Sequence, residues 1–345
     1  MTKCGTLMFG GVLFLAAGTG TANAQQWLLN SSASHFYMQT VKANSIFENH
    51  QFKSLDGTIT PDGNATVKID LTSVISGIDV RDVRMRFLLF ETYKFPNAEV
   101  TAKLDMAKLQ ELRKTTRIDY PLKFKINLHG IEQEMEAPVT VTRVSDKSIS
   151  VASATPIIVT ADSFGLTAGI AKLSEAVNGT QIATGASITF DLVFETGDKI
   201  PAIEAARVAT ARQKAQDESS AIAPEACETR FSVISTTGAI YFKTGSAELD
   251  RASEPLLDSV AQIANRCPTA RIEVSGHTDT VGGKESNRHL SEQRAKSVVN
   301  YLVQHGITAG RIDSAGYGDS RPIAPNDSET NRAKNRRIEF KVKAL

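Results

Sequence analysis

The chain is 345 residues long, with 39 Lys and Arg against 38 Asp and Glu and a formal charge of +1. That length exceeds what one small core organises, so two folded domains joined by a connector are expected. The near balance of charge removes the general attraction on which nucleic-acid binding depends, and no nucleic-acid partner is expected.

Residues 1–24 read as an export signal. Lys3 gives a positive start, residues 6–17 are mostly apolar, and Ala22-Asn23-Ala24 offers small side chains for cleavage before Gln25. The apolar run is short and contains glycine, which favours a cleaved signal over a membrane anchor. Cys4 precedes that run, where a lipidated cysteine would not lie.

From residue 25 to 196 the pattern is almost all strand. Val67, Ile69 and Leu71 alternate with polar neighbours, as do Leu122, Phe124, Ile126 and Leu128, and again Ile188, Phe190, Leu192 and Phe194. Similar stretches at 27–40, 51–60, 97–104, 132–144 and 148–160 bring the expected number of strands to eight. Pro61-Asp62-Gly63-Asn64 is the clearest turn. Eight strands with one apolar face each predict an antiparallel barrel, either filled by side chains or wide enough for one slender apolar ligand. Residues 73–102 interrupt the pattern with Asp79, Arg81, Asp82, Arg84 and Arg86. That mixed charge predicts a helix or loop folded over the barrel mouth with its charges paired, in preference to a catalytic cluster.

Residues 73–102, with FKINLHGIEQEMEAPVTV at 124–141 and ADSFGL at 161–166, resemble the YceI family. Arg84-Met85-Arg86 stand where that family's pattern has histidine and serine. The resemblance implies a lipocalin-like barrel that carries an isoprenoid or fatty chain, the one bound group expected for this protein. Phe36, Phe52, Phe87 and Phe90 are the candidates for lining its cavity, against the alternative that they are ordinary core residues.

At 197–226 the composition shifts to Ala, Gln, Glu, Lys and Arg. We read a connector, helical over 203–218, that spaces the two domains.

Residues 227–345 alternate strand and helix. Ala239, Ile240, Tyr241 and Phe242 suggest an early strand, and Leu256, Leu257, Val260, Ile263 and Ala264 a helix stripe ended by Cys267-Pro268. Ile272 and Val274 mark a second strand, which the glycines at 276, 282 and 283 end in a loop carrying Asp279. A helix follows, with Ala295, Val298, Val299 and Leu302 as its buried stripe and Gly306 as its stop; Ile338, Phe340 and Val342 alternate as the closing strand. The expected architecture is a two-layer α/β sandwich. Asn287, Leu290 and Arg294 form a second stripe that faces back toward the loop. Asp279, Arg294 and Asn287 would then meet in a small polar pocket suited to a zwitterion, the carboxylate on Arg and the ammonium on Asp. The alternative is that Asp279 and Arg294 simply pair with each other or with water.

GHTD at 276–279, NRHLSEQRAKSVVNYL at 287–302, GYGDSRP at 316–322 and NRAKNRRIEF at 331–340 resemble the successive motifs of the OmpA C-terminal family of peptidoglycan-binding domains. In that family the Asp of GHTD and the Arg of LSxxRA hold the two ends of a diaminopimelate side chain. The resemblance therefore implies peptidoglycan as partner, with Asp279 and Arg294 as its ligands and Asn287 beside them. Arg332, Arg336 and Arg337 either flank that pocket or cap the domain.

With the signal removed, Cys227 and Cys267 remain. In an exported chain they predict one disulfide, in preference to free thiols or a metal site. No catalytic residue and no metal site are expected: His277 has no nucleophile set beside it, and the six histidines show no ligand spacing. The expected protein is periplasmic, bound to the wall of a Gram-negative cell and associated with its outer membrane. The competing reading makes the first domain a transmembrane barrel tying that membrane to the wall. Exposed sheet edges leave homo-oligomers open.

Overall fold

Alternation builds the first domain. Along Arg117–Leu128, the side chains of Ile118, Tyr120, Leu122, Phe124 and Ile126 turn inward, while Arg117, Asp119, Lys123 and Lys125 stay exposed, as a strand with one wet face requires. The structure, a computed structural model, describes residues 26–112 and 114–344; the export signal expected at 1–24 lies outside the described residues.

Eight strands close the barrel. They are β1 (Trp27–Leu29, continued by His35–Lys42), β2 (Ile46–Phe52, continued by Leu55–Ile59), β3 (Asn64–Asp70), β4 (Asn97–Lys103), β5 (Arg117–Leu128), β6 (Ile131–Ser145), β7 (Ser148–Ser153, continued by Ile157–Thr160) and β8 (Gly185–Thr196). Each pairs antiparallel with the next, and β8 returns to β1 with Phe194 opposite Leu29 and Phe190 opposite Phe36.

One end of the barrel is lidded. The β3–β4 connection forms α1 (Asp79–Arg84), which runs into a π-helical turn, Met85–Leu89. At the opposite end, α2 (Met106–Glu111) joins β4 to β5. The β7–β8 connection brings α3 (Thr167–Glu175) onto the π-turn, so closely that a Cβ on Gly169 would lie 2.7 Å from the Leu88 carbonyl oxygen. Most of the lid's dense charges have partners, as expected, although Arg84 has none among the described residues. Asp82 accepts from the Ser76 N–H at 2.8 Å, Arg81 pairs with Glu48 at 3.0 Å, and Arg86 donates to the Val74 carbonyl at 3.2 Å. Beneath them Val83, Met85, Leu88 and Leu89 are buried.

The connector corrects an expectation. Its helix α4 (Ile200–Ser219) is about 30 Å long at ~1.5 Å per residue, yet it does not hold the domains apart. It starts where β8 ends and lies back along the barrel wall toward the lidded end. Ile203 is buried, Arg207 donates to the Gly57 carbonyl at 2.8 Å and pairs with Asp56, and Lys214 pairs with Asp70 at 2.6 Å. These tertiary contacts make a strut of what composition alone describes as a spacer.

The second domain begins with a helix, α5 (Pro224–Ser235), rather than a strand. Residues 239–242, expected as the early strand, join no sheet and contribute only a single bridge from Phe242 to Leu249. The remaining elements are α6 (Glu254–Arg266), β9 (Arg271–His277), α7 (Lys284–Gln304), β10 (Ile312–Gly318), α8 (Glu329–Asn335) and β11 (Ile338–Ala344). The sheet order is β10-β9-β11, with β9 parallel to β10 and antiparallel to β11. Leu256, Leu257, Val260, Ile272, Val298 and Leu302 are fully buried between sheet and helices.

Helix α5 serves two cores. Cys227, Phe231 and Ile234 enter the second domain, while Val233 packs into the barrel cluster and Arg230 pairs with Asp79 at 3.5 Å. Lys172 donates to the Thr237 carbonyl at 2.6 Å, and Lys334 pairs with Glu175 at 2.8 Å. The second domain therefore sits on the barrel's lid. A Cys227–Cys267 disulfide ties α5 to the end of α6 across a separation of 40 residues, a loop for which the chain-entropy account gives about 4 kcal/mol.

His277, the last residue of β9, is only 2% exposed and stacks on Tyr317 at 5.5 Å. Neither ring nitrogen has a hydrogen-bond partner among the described residues. Burial, and then the Arg337 charge, push its pKa down to about 4 against the opposing pull of Glu339. The folded chain thus keeps His277 neutral while the unfolded chain protonates it near pH 6.5. Its contribution is complete above that pH and is lost as pH falls toward 4. Denaturant unfolding should show about 2 kcal/mol lost from this group between pH 7 and 5. His277→Phe should flatten that slope, and an unchanged slope in the variant would contradict the assignment.

Candidate functional site

Two glycines place α7 on the sheet. A Cβ on Gly276 would fall 2.1 Å from the Ser291 carbonyl oxygen, and one on Gly316 would fall 2.4 Å from the Glu292 nitrogen. The helix backbone thus rests directly on β9 and β10, and the Ser291 hydroxyl accepts from the Gly318 N–H at 2.9 Å. This contact fixes the loop after β9 beside the first half of α7. Within the loop, Asp279 Oδ1 accepts from the Val281 N–H at 2.9 Å, and Asn287 Nδ2 donates to the Asp279 carbonyl at 3.1 Å. Asn287 is buried, and its amide holds the loop in place.

The Asp279 side chain is 9% exposed, and its Oδ2 accepts from Arg336 Nη1 at 2.7 Å. Arg336 also binds Glu329 at 2.6 Å, and these two hydrogen bonds raise its pKa. Arg294 is placed differently. Its Nε donates to the Ser246 carbonyl at 3.0 Å, and its guanidinium lies 5.0 Å over the Phe242 ring. Burial lowers its pKa, repulsion from Arg336 adds to the effect, and the Asp279 charge opposes it. Arg294 makes no ion pair among the described residues. The structure therefore brings Asp279 and Arg294 into each other's field, but the direct partner of Asp279 is Arg336, one of the three arginines expected near the closing strand.

Other contributors carry no local signal in the sequence. Phe242 and Ser246 support Arg294 from a loop 48 residues upstream. Asn335 accepts from the Ile323 N–H at 2.8 Å and donates to Asn326 Oδ1 at 3.0 Å, and Asn326 in turn accepts from Thr280 at 3.4 Å. The pair of asparagines pins the loop opposite Asp279. Chemically, the site offers a carboxylate with acceptor capacity left beyond its two bonds and a guanidinium using one of its N–H donors. An anion suits the second, and a cation suits the first.

The barrel encloses a second candidate site, a cavity of about 210 Å³. Phe36, Phe52, Phe90 and Phe190 line it, with ring centroids about 6 Å apart, and among the described residues no charged one does. Phe87, expected there, instead stacks on Tyr93 at 6.3 Å between the two domains. The π-turn explains this. Its wide hydrogen bond, Phe90 N–H to the Met85 carbonyl at 2.9 Å, turns Phe90 inward and leaves Phe87 facing out.

Known proteins resemble each half. The YceI-like domain model matches residues 21–194, half of the chain, and the OmpA family model matches residues 241–336. The peptidoglycan-binding protein ArfA of Mycobacterium tuberculosis is 42% identical over 107 residues, which is 31% of this chain and 33% of ArfA. The probable lipoprotein YiaD of Escherichia coli is 38% identical over 106 residues, 31% of this chain and 48% of YiaD. The chain thus spans about a third to a half of these curated relatives. A polyisoprenoid-binding domain from Saccharophagus degradans is 32% identical over 50% of this chain and 98% of that one, with a TM-score of 0.48. The chain therefore belongs to the YceI-like domain family and carries an OmpA family domain behind its barrel.

Proposed function

We propose that the OmpA domain binds peptidoglycan without covalent chemistry, gripping the diaminopimelate of the stem peptide, and so holds a lipid-binding YceI-like barrel at the cell wall. The observation that carries the first part is Arg294. A half-buried guanidinium that uses one of its donors among the described residues, within the electrostatic reach of Asp279, is poised for a carboxylate, to which it gives two parallel hydrogen bonds. The ammonium at the same end of diaminopimelate goes to Asp279, whose carboxylate either serves both that ammonium and Arg336 or releases Arg336 to Glu329. Recognition then needs both charges of the guest. ArfA, whose name is that of a peptidoglycan-binding protein, supports the assignment.

The cavity supports the second part. Close-packed interiors hold few voids larger than a water molecule, so an apolar space of about 210 Å³ lined by aromatic and aliphatic side chains suits an isoprenoid or fatty chain. The likeness to a polyisoprenoid-binding domain accords with such a ligand. We place the protein in the periplasm of a Gram-negative cell, as a binding protein rather than an enzyme. The outer faces of β5 and β6 carry Arg117, Asp119, Lys123, Lys125, Glu132, Glu134 and Glu136, which favours a barrel in water over one in lipid.

Asp279→Ala and Arg294→Ala should each weaken binding to purified sacculi by about 10-fold or more, the loss expected for a charge-assisted pair, with circular dichroism unchanged. Full retention by both variants would end the wall assignment. Native mass spectrometry of protein from its own host should show an apolar adduct whose removal lowers the thermal midpoint; a clean apo mass would contradict lipid carriage.

A further inference from the structure

The two ends of the barrel cavity are closed in different ways. At the lidded end Val83, Met85, Leu88, Leu89, Phe90 and Leu173 are buried, and the OmpA domain is docked on top through Lys172 to Thr237, Arg230 to Asp79 and Lys334 to Glu175. At the other end α2 lies at the opening. None of its residues is buried. Leu109 reaches the cavity, and Leu112 just beyond the helix is its one buried anchor. Asp105 caps α2, its Oδ1 accepting from the Ala107 N–H at 3.0 Å and the Lys108 N–H at 3.4 Å.

We infer that the apolar ligand enters and leaves at the α2 end, with Leu109 standing in the portal and Asp105 keeping it shut by capping the helix. The inference rests on the lipid-binding reading proposed above. Local opening is favoured where little apolar surface must be exposed. Parting the lid means pulling α1, the π-turn and α3 off the core and breaking the domain contacts as well. Lifting α2 exposes Leu109, Leu112 and half-buried Met106, and releases the cap, the Lys108 contact over the Tyr120 ring and the 3.3 Å hydrogen bond from the Asp105 N–H to the Tyr120 hydroxyl. The portal therefore opens at the end remote from the docked OmpA domain, and stays free while that domain is held on the wall.

The test is stopped-flow uptake and release of the neutral apolar probe N-phenyl-1-naphthylamine by the full chain. Asp105 does not line the cavity, so Asp105→Ala should speed association and dissociation together, each by about fivefold as the loss of an ordinary helix cap implies, and leave Kd unchanged. Lys172→Ala, at the covered end, should leave both rates at the wild-type value. Rates indifferent to Asp105→Ala, a Kd changed through dissociation alone, or acceleration by Lys172→Ala would each overturn the portal. No uptake by the wild-type chain would remove the lipid reading itself, and the portal with it.

Discussion

The proposed wall-binding site depends on one steric constraint: α7 must rest with its backbone against β9 and β10. A methyl group on Gly276 or Gly316 would meet that backbone at 2.1 to 2.4 Å, far inside van der Waals contact. Only hydrogen at both Cα positions lets the helix settle. Once it does, Ser291 binds Gly318, Asn287 holds the Asp279 carbonyl, and Arg294 projects over Phe242. The glycines of the GHTD and GYGD motifs are therefore part of the site, although neither touches a guest. They convert a generic helix-on-sheet contact into a fixed spacing between an acid on a loop and a base on a helix.

A second constraint joins the halves of the molecule. Helix α4 is long enough to cross the barrel wall, and α5 offers one face to each core. Together they return the OmpA domain to the lid instead of letting it swing on a tether. Lys334, on the barrel contact, lies two residues before Arg336, which holds Asp279. Wall site and barrel lid are thus built on neighbouring residues of α8 and its end. The protein is better described as two sites on one scaffold than as two beads on a string.

Much of this was legible in the sequence wherever one period and one partner decide the outcome. The eight barrel strands alternate because each has one face inside and one in water, and Asp279 and Arg294 stand in short motifs around one loop and helix. What escaped depends on distant chain. Arg336 meets Asp279 across 57 residues, and no local pattern announces it. Helix α5 divides its apolar residues between two domains, which blurs the single stripe that periodicity detects. Residues 239–242 are as apolar as a strand but pair with no strand of the three-stranded sheet and make only the bridge from Phe242 to Leu249. Phe87 and Phe90 are equally plausible as cavity residues until a π-turn rotates one of them outward.

In the proposed recognition Arg294 reads a carboxylate and Asp279 an ammonium on the same side chain. Calorimetric titration with two soluble stem peptides, one bearing diaminopimelate and one bearing lysine, separates the two roles, because lysine keeps the side-chain ammonium and lacks the carboxylate. Arg294→Ala should weaken the diaminopimelate peptide by about 10-fold or more and leave the lysine peptide unaffected, whereas Asp279→Ala should weaken both. An equal loss on both peptides from Arg294→Ala would contradict a carboxylate-reading role for Arg294.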